Sequence, residues 1–170
     1  MSDAAALRAL QAPLKERYKA DPDAALITLR ATGSVDDQAI ACKVETGRAI
    51  QTAGLHPATG GSGLELCSGD MLLEALVACA GVTLKAVATA LGIELRAAAV
   101  TAEGDLDFRG TLGVNREAPV GFRAIRLGFA VETDAPQDQL DTLLKLTERY
   151  CVVFQTLDRK PELTVSLDKV

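Results

Sequence analysis

Four cysteines, Cys42, Cys67, Cys79 and Cys151, and a single histidine, His56, are where this 170-residue chain could hold nucleophilic or redox chemistry. A thiolate attacks peroxides, disulfides and activated carbon, and two thiols within reach of each other cycle between dithiol and disulfide. No two of the cysteines form a CxxC pair, and a structural zinc site needs four ligands that usually come in close pairs, so the spacing argues against zinc. In a reducing compartment such widely spaced cysteines are either buried and inert or redox-active. The residue pattern alone leaves both readings open for Cys79. Cys42 alternates with inward strand residues and reads as core. Cys67 is a third reactive thiol or a packed one, and His56, in a Gly/Pro-rich stretch, reads as a loop residue rather than a base.

Cys79 sits in the middle of residues 69–91, GDMLLEALVACAGVTLKAVATAL, and this run must position it. Leu, Ala, Met and Lys favour helix and no proline interrupts, so the run predicts a rod of roughly 35 Å. Apolar residues fall on every side, the pattern of a buried core helix or a membrane span. Glu74 and Lys85 leave only 75–84 uncharged, far short of the ~20 residues a bilayer needs, so a core helix is expected. Its many alanines would let strands or a second copy of the helix approach closely. A thiol of ordinary pKa near 8.5 is only about 3% ionised at pH 7, and lowering that pKa to ~6 needs roughly 3.4 kcal/mol. A helix dipole supplies about 0.3 to 1 kcal/mol near an end, whereas Cys79 is mid-helix, so a cation is expected beside it.

The charge balance of 18 Lys and Arg against 23 Asp and Glu, with no basic cluster longer than a pair, argues against nucleic acid as a partner. The N-terminus carries both charge signs without an apolar signal core, which points to a cytoplasmic protein. Residues 4–19 predict a surface helix, or two broken at Pro13. Period-two patterns predict a hairpin: a strand from Leu26 to about Thr32, a turn over Gly33–Asp37, and a second strand through Ile40, Cys42 and Val44. Residues 47–68 read as a long functional loop, with Ser68 or Asp70 as helix N-cap and Gly92 as C-cap. Strands are expected at 98–108 and 125–131 around a loop over 109–121, then a helix to Tyr150 with Leu140, Leu143, Leu144 and Thr147 as its stripe. A short turn or helix at 151–157 and a last strand at 163–167 follow. The class is α+β, helices on one face of antiparallel sheet, in a single domain over 1–170.

Two stretches belong together: LLEALVACAGVTL, holding Leu72, Leu73, Ala75, Leu76 and Cys79, and ERYCVVFQTL, holding Cys151, Val153, Thr156 and Leu157. They resemble the L-x-x-A-L-x-x-C and C-P-V-x-x-T-L motifs of the OsmC/Ohr family, the osmotically inducible protein C and organic hydroperoxide resistance proteins. The resemblance implies an OsmC-like fold, with antiparallel sheets packed on a long buried central helix in an intertwined homodimer whose sites lie at the subunit interface. It implies a stress-response thiol peroxidase for organic or inorganic hydroperoxides, in which Cys79 becomes a sulfenic acid, Cys151 condenses with it, and an external lipoyl-type dithiol resets the pair. No cofactor, metal or membrane is implied.

The chain departs from the family pattern at three points. Reading Ala31-Thr32-Gly33-Ser34-Val35-Asp36 against A-T-G-G-R-D puts Val35 where the hydroperoxide branch has arginine, leaving Arg48 and Arg30 as substitute cations. The family's helix glutamate falls at Asp70 or is missing at Gly69, and Asp70 supports Cys79 only if the first helical turn bends. Val152 replaces the proline after the second cysteine, leaving that turn without proline's constraint. The reading from another class is a non-catalytic dimer of this fold that binds a small apolar or electrophilic ligand under the 47–68 loop.

Overall fold

The computed structural model describes residues 51–113 and 115–169 in full, the backbone of 32–35, 41–45 and 50, and helical positions 4, 5, 9, 11, 12, 16 and 20. The first sheet has the order β1 (Thr32–Val35), β2 (Ala41–Glu45), β3 (Ile50–Gly54) and β4 (Leu66–Cys67). β1 and β3 both run antiparallel to β2, with Val35 opposite Cys42 and Glu45 opposite Ile50. The hairpin is therefore present but shifted. Gly33, Ser34 and Val35, expected in its turn, are strand, and most of the strand expected from Leu26 lies outside the described residues.

The stretch read as a loop over 47–68 instead carries β3, a 3-10 turn at Pro57–Thr59 and β4, which pairs parallel to β3. Its short strands are held by main-chain pairing, β3 with β2 and β4 with β3, a non-local term that a Gly- and Thr-rich run does not announce. The sheet is accordingly mixed rather than purely antiparallel.

β4 feeds directly into α1 (Ser68–Leu91), whose N-cap is Cys67 rather than Ser68 or Asp70. At its far end Gly92 takes φ 73°, and its N–H reaches the Ala88 and Thr89 carbonyls. A Cβ is disfavoured at such a φ, so glycine ends the helix here at the expected place. Ile93, buried behind it, joins Leu84, Ala88 and Leu143 in one core cluster.

α1 is long and apolar enough by length and composition to cross a bilayer. Among the described residues it is covered along one stripe. Leu76, Ala80, Leu84 and Ala88, four residues apart, are buried, while Val82 on the opposite side is 73% exposed. Spacing of four keeps a single stripe inward, and each buried leucine stabilises by about 1.5 to 3 kcal/mol.

That stripe lies against a two-stranded antiparallel sheet, β5 (Ala97–Asp105) and β6 (Ala124–Glu132), paired from Ala97–Glu132 through Asp105–Ala124. Val100, Ala102, Ile125, Leu127 and Phe129 face the helix, and Arg126 bridges Glu103 and Asp105 on the wet face. The expected 109–121 loop contains a one-turn helix, α2 (Phe108–Thr111), capped by the Asp107 carboxylate accepting from Arg109 N–H at 3.1 Å.

α3 (Gln137–Tyr150) buries Leu143 and Thr147 against α1; Leu144, expected in the same stripe, is 50% exposed. α4 (Val152–Asp158) follows after the single residue Cys151. The last expected strand does not form: residues 160–169 have no regular structure, and Leu163, Val165 and Leu167 are exposed. Their alternation is that of a strand, but a strand requires a partner's hydrogen bonds, and 163–167 pairs with none of the described residues.

Candidate active site

Cys79 lies on the half-buried flank of α1, one turn from Leu76 and next to Ala80. Cys151, fully buried, ends α3 with its N–H bonded to the Thr147 carbonyl at 3.0 Å, and its own carbonyl accepts from Gln155 N–H in the first turn of α4. The two helices thus meet at Cys151, and α4 begins with its free amides aimed at the middle of α1. The result is a thiol pair: Cys151 and Cys79 are hydrogen-bonded through their side chains, and Val153 and Val152 direct their N–H groups to the Cys79 sulfur.

The electrostatics separate the two thiols. Burial pushes Cys79 up, but the Val153 N–H, the Cys151 thiol and the Val152 N–H together favour its thiolate more strongly, so its pKa is lowered from that of an ordinary thiol. Cys151 moves the other way, raised chiefly by burial, which the Phe154 N–H opposes; the hydrogen bond and charge of Cys79 raise it further, and the Val153 N–H opposes least. Of the two, Cys79 is the thiol that ionises more readily and Cys151 the one that holds its proton. The Thr83 hydroxyl adds to the stabilisation only by rotating, because its one hydrogen is given to the Cys79 carbonyl at 2.8 Å.

Among the described residues, the groups that lower Cys79 are main-chain amides and thiol or hydroxyl side chains rather than a cation. Among the described residues no arginine is one of the groups acting on its sulfur, and Arg96, Arg109 and Arg126 are tied to carboxylates elsewhere. Arg30 and Arg48 lie outside the described residues, and of Val35 only the backbone in β1 is described. Asp70 is exposed in the first turn of α1, nine residues or roughly 13 Å of helix from Cys79. It shares a cleft with His56 and Cys67 instead.

What sequence reasoning missed is the pair of amides at Val152 and Val153. The signal was present in the absent proline, since proline at 152 would have had no N–H to give. The turn also does not need that proline, because α4 starts at Val152 without it.

A long helix carrying a thiol, a two-stranded sheet beneath it and a second thiol at a helix junction define an α+β protein built around a cysteine pair. Residues 60–166 match the family model described as OsmC-like protein, and the chain belongs to that family and has its fold. Solved structures agree in fold. An OsmC-like protein from Mycoplasma pneumoniae superposes with a TM-score of 0.64 at 17% identity, over 78% of this chain and 88% of that one. A Legionella pneumophila structure described as an organic hydroperoxide resistance protein OsmC, predicted redox protein, gives 0.60 at 18% identity over 78% and 90%. An organic hydroperoxide resistance protein from Elizabethkingia anophelis with bound thiocyanate gives 0.59 at 16% identity over 77% and 89%. No curated protein matches the chain at a significant level.

Proposed function

We propose that the protein is a thiol-dependent peroxidase that reduces organic or inorganic hydroperoxides in a cytoplasmic stress response, with Cys79 as the attacking thiolate and Cys151 as the resolving thiol. The observation that carries this reading is the packing of Cys151, at the junction of α3 and α4, against Cys79 on α1, an arrangement in which Cys79 ionises more readily than Cys151. Organic hydroperoxide resistance in the names of the Legionella and Elizabethkingia structures supports the substrate class.

In the first step the Cys79 sulfur forms a bond to the terminal peroxide oxygen, the O–O bond breaks, and the departing alkoxide takes a proton and leaves as alcohol. Cys79 is then a sulfenic acid. That step also removes the negative charge that helped keep Cys151 protonated; burial, the larger cause, remains. Cys151 thus becomes easier to ionise when a nucleophile is needed. Its sulfur attacks the sulfenic sulfur, the S–O bond breaks, and hydroxide leaves as water. An external lipoyl-type dithiol returns the pair to thiols by two exchanges, ending as its own disulfide.

The working unit on this reading is an intertwined homodimer of 170-residue, single-domain subunits. It would cover surfaces that a lone chain leaves wet: the outer stripe of α1 through Ala75, Ala78 and Val82, and the alternating Leu163, Val165 and Leu167. Arg30 or Arg48 would add a cation to the amides already at Cys79. Stopped-flow consumption of cumene hydroperoxide and hydrogen peroxide by the reduced protein tests the reading. Cys79→Ser should abolish the fast phase, and Cys151→Ser should keep one turnover but block disulfide formation. Three proteins that all react no faster than free cysteine would refute it.

A further inference from the structure

Thr83 stands one turn beyond Cys79 on the same flank of α1, and both residues are half-buried. Side chains of a helix lean toward its amino end, so a residue covers the one four places before it. Thr83 therefore lies over Cys79. Its hydroxyl gives its hydrogen to the Cys79 carbonyl at 2.8 Å and stands within hydrogen-bonding reach of the Cys79 sulfur. The bond to the carbonyl is an ordinary resting position in this chain, since Thr89, Thr142 and Thr156 bond the carbonyl four places back in the same way. What sets Thr83 apart is that the side chain one turn back is the nucleophile.

A hydroxyl has one hydrogen and two lone pairs. With the hydrogen on the carbonyl, Thr83 presents lone pairs to the space beside the sulfur. The other groups bonded to that sulfur among the described residues, the Val152 and Val153 N–H groups and the Cys151 thiol, are donors. The site thus sets one acceptor beside a sulfur held by donors. A hydroperoxide needs such an acceptor. Left to itself, its O–H points at a thiolate and puts the hydrogen, not the oxygen, against the sulfur. In an in-line displacement the sulfur, the terminal oxygen and the departing oxygen share one line, and the O–H must turn aside.

We propose that Thr83 is a substrate-positioning residue for hydroperoxides, its hydroxyl oxygen accepting the terminal O–H so that the terminal oxygen faces the Cys79 sulfur. This rests on the peroxidase reading and deepens it. The S–O bond forms and the O–O bond breaks, its electron pair leaving on the departing oxygen, which takes a proton from water. The hydrogen held by Thr83 stays on the oxygen that becomes the sulfenic hydroxyl. Sulfur is oxidised by one electron pair and the peroxide reduced by the same pair. Hydrogen peroxide and alkyl hydroperoxides carry the hydrogen that Thr83 accepts. An alkylating agent presents a carbon with no such hydrogen, and its reaction does not use this contact.

The test compares two rates in each reduced full-length protein at one pH: stopped-flow consumption of cumene hydroperoxide, and alkylation of Cys79 by iodoacetamide followed by peptide mass spectrometry. Alkylation follows the thiolate fraction and the access to the sulfur, so the ratio of the two rates cancels what a changed pKa or packing does to Cys79. Thr83→Val keeps the branched shape and loses the hydroxyl; it should lower the ratio roughly tenfold, which is about 1.4 kcal/mol and the worth of one hydrogen bond. Thr83→Ala, which cannot overpack, should lower it alike, and Thr83→Ser should restore most of it. A ratio unchanged in Thr83→Val and Thr83→Ala, with both rates falling together, would overturn the proposal and leave the peroxidase reading standing. A wild-type protein that consumes the peroxide no faster than free cysteine would overturn both.

Discussion

Val152→Pro isolates one backbone donor at the Cys79 sulfur. Val152 is the first residue of α4, where proline is tolerated, because that N–H has no partner within the helix. Cys151 before it has φ −73° and ψ 106°, close to the extended conformation a following proline requires. The Val152 side chain is 70% exposed, so little packing is lost. The substitution therefore removes one N–H from the Cys79 sulfur and little else. A hydrogen bond to a charged group contributes about 1.5 to 3 kcal/mol. Val152 contributes less than Val153, so the low end applies, and about 1.5 kcal/mol corresponds to a rise of roughly one pKa unit. Below the midpoint that leaves about tenfold less thiolate. The remaining thiolate is more basic and about threefold more nucleophilic, for a net loss of roughly three- to fourfold in peroxide reaction rate at neutral pH. The assay is alkylation of Cys79 against pH, with thiolate ultraviolet absorbance as a second readout, in both proteins. In the wild type the rate should rise through a midpoint below 9.0, and in the variant that midpoint should lie higher. A folded Val152→Pro protein with an unchanged midpoint would refute the role given to the α4 amides.

Cys79→Ser should lower the pKa of Cys151 relative to the wild type, because the thiolate's charge and hydrogen bond are gone while burial remains; alkylation of Cys151 against pH reads it. Thr147→Val removes a buried hydroxyl that has no hydrogen-bond partner among the described residues, and should raise stability by about 1 kcal/mol in urea titration without changing the fold. Leu76→Ala, at a side chain 1% exposed between α1 and Cys151, should cost about 2 to 5 kcal/mol by the same titration.

Much of the architecture was legible because it rests on local pattern. The charge-poor 69–91 run, Gly92 behind it, and the period-two alternation around Val100 and Phe129 each became the expected element. What failed depended on distant pairing. β3 is a strand because β2 lies alongside and β4 because β3 does, and Leu163, Val165 and Leu167 have a strand's alternation without a bonded neighbour among the described residues. The same divide runs through the site. Cys79 and Cys151 could be nominated from two motifs, but the source of thiolate stabilisation could not. It comes from main-chain amides whose position depends on α3 ending at Cys151 and α4 turning back toward α1. A search for a cation among side chains, which led to Arg30, Arg48 and Asp70, overlooks donors that carry no side-chain signature.

The central claim is that Cys79 and Cys151 are a matched nucleophile and resolving thiol. The most direct test is a single turnover: reduced protein mixed with one equivalent of cumene hydroperoxide, quenched by alkylation and mapped by mass spectrometry. Loss of two thiols, with a Cys79–Cys151 disulfide as the product, is the predicted result. Persistence of both thiols, or a bridge that joins Cys79 to Cys42 or Cys67 instead, would contradict it.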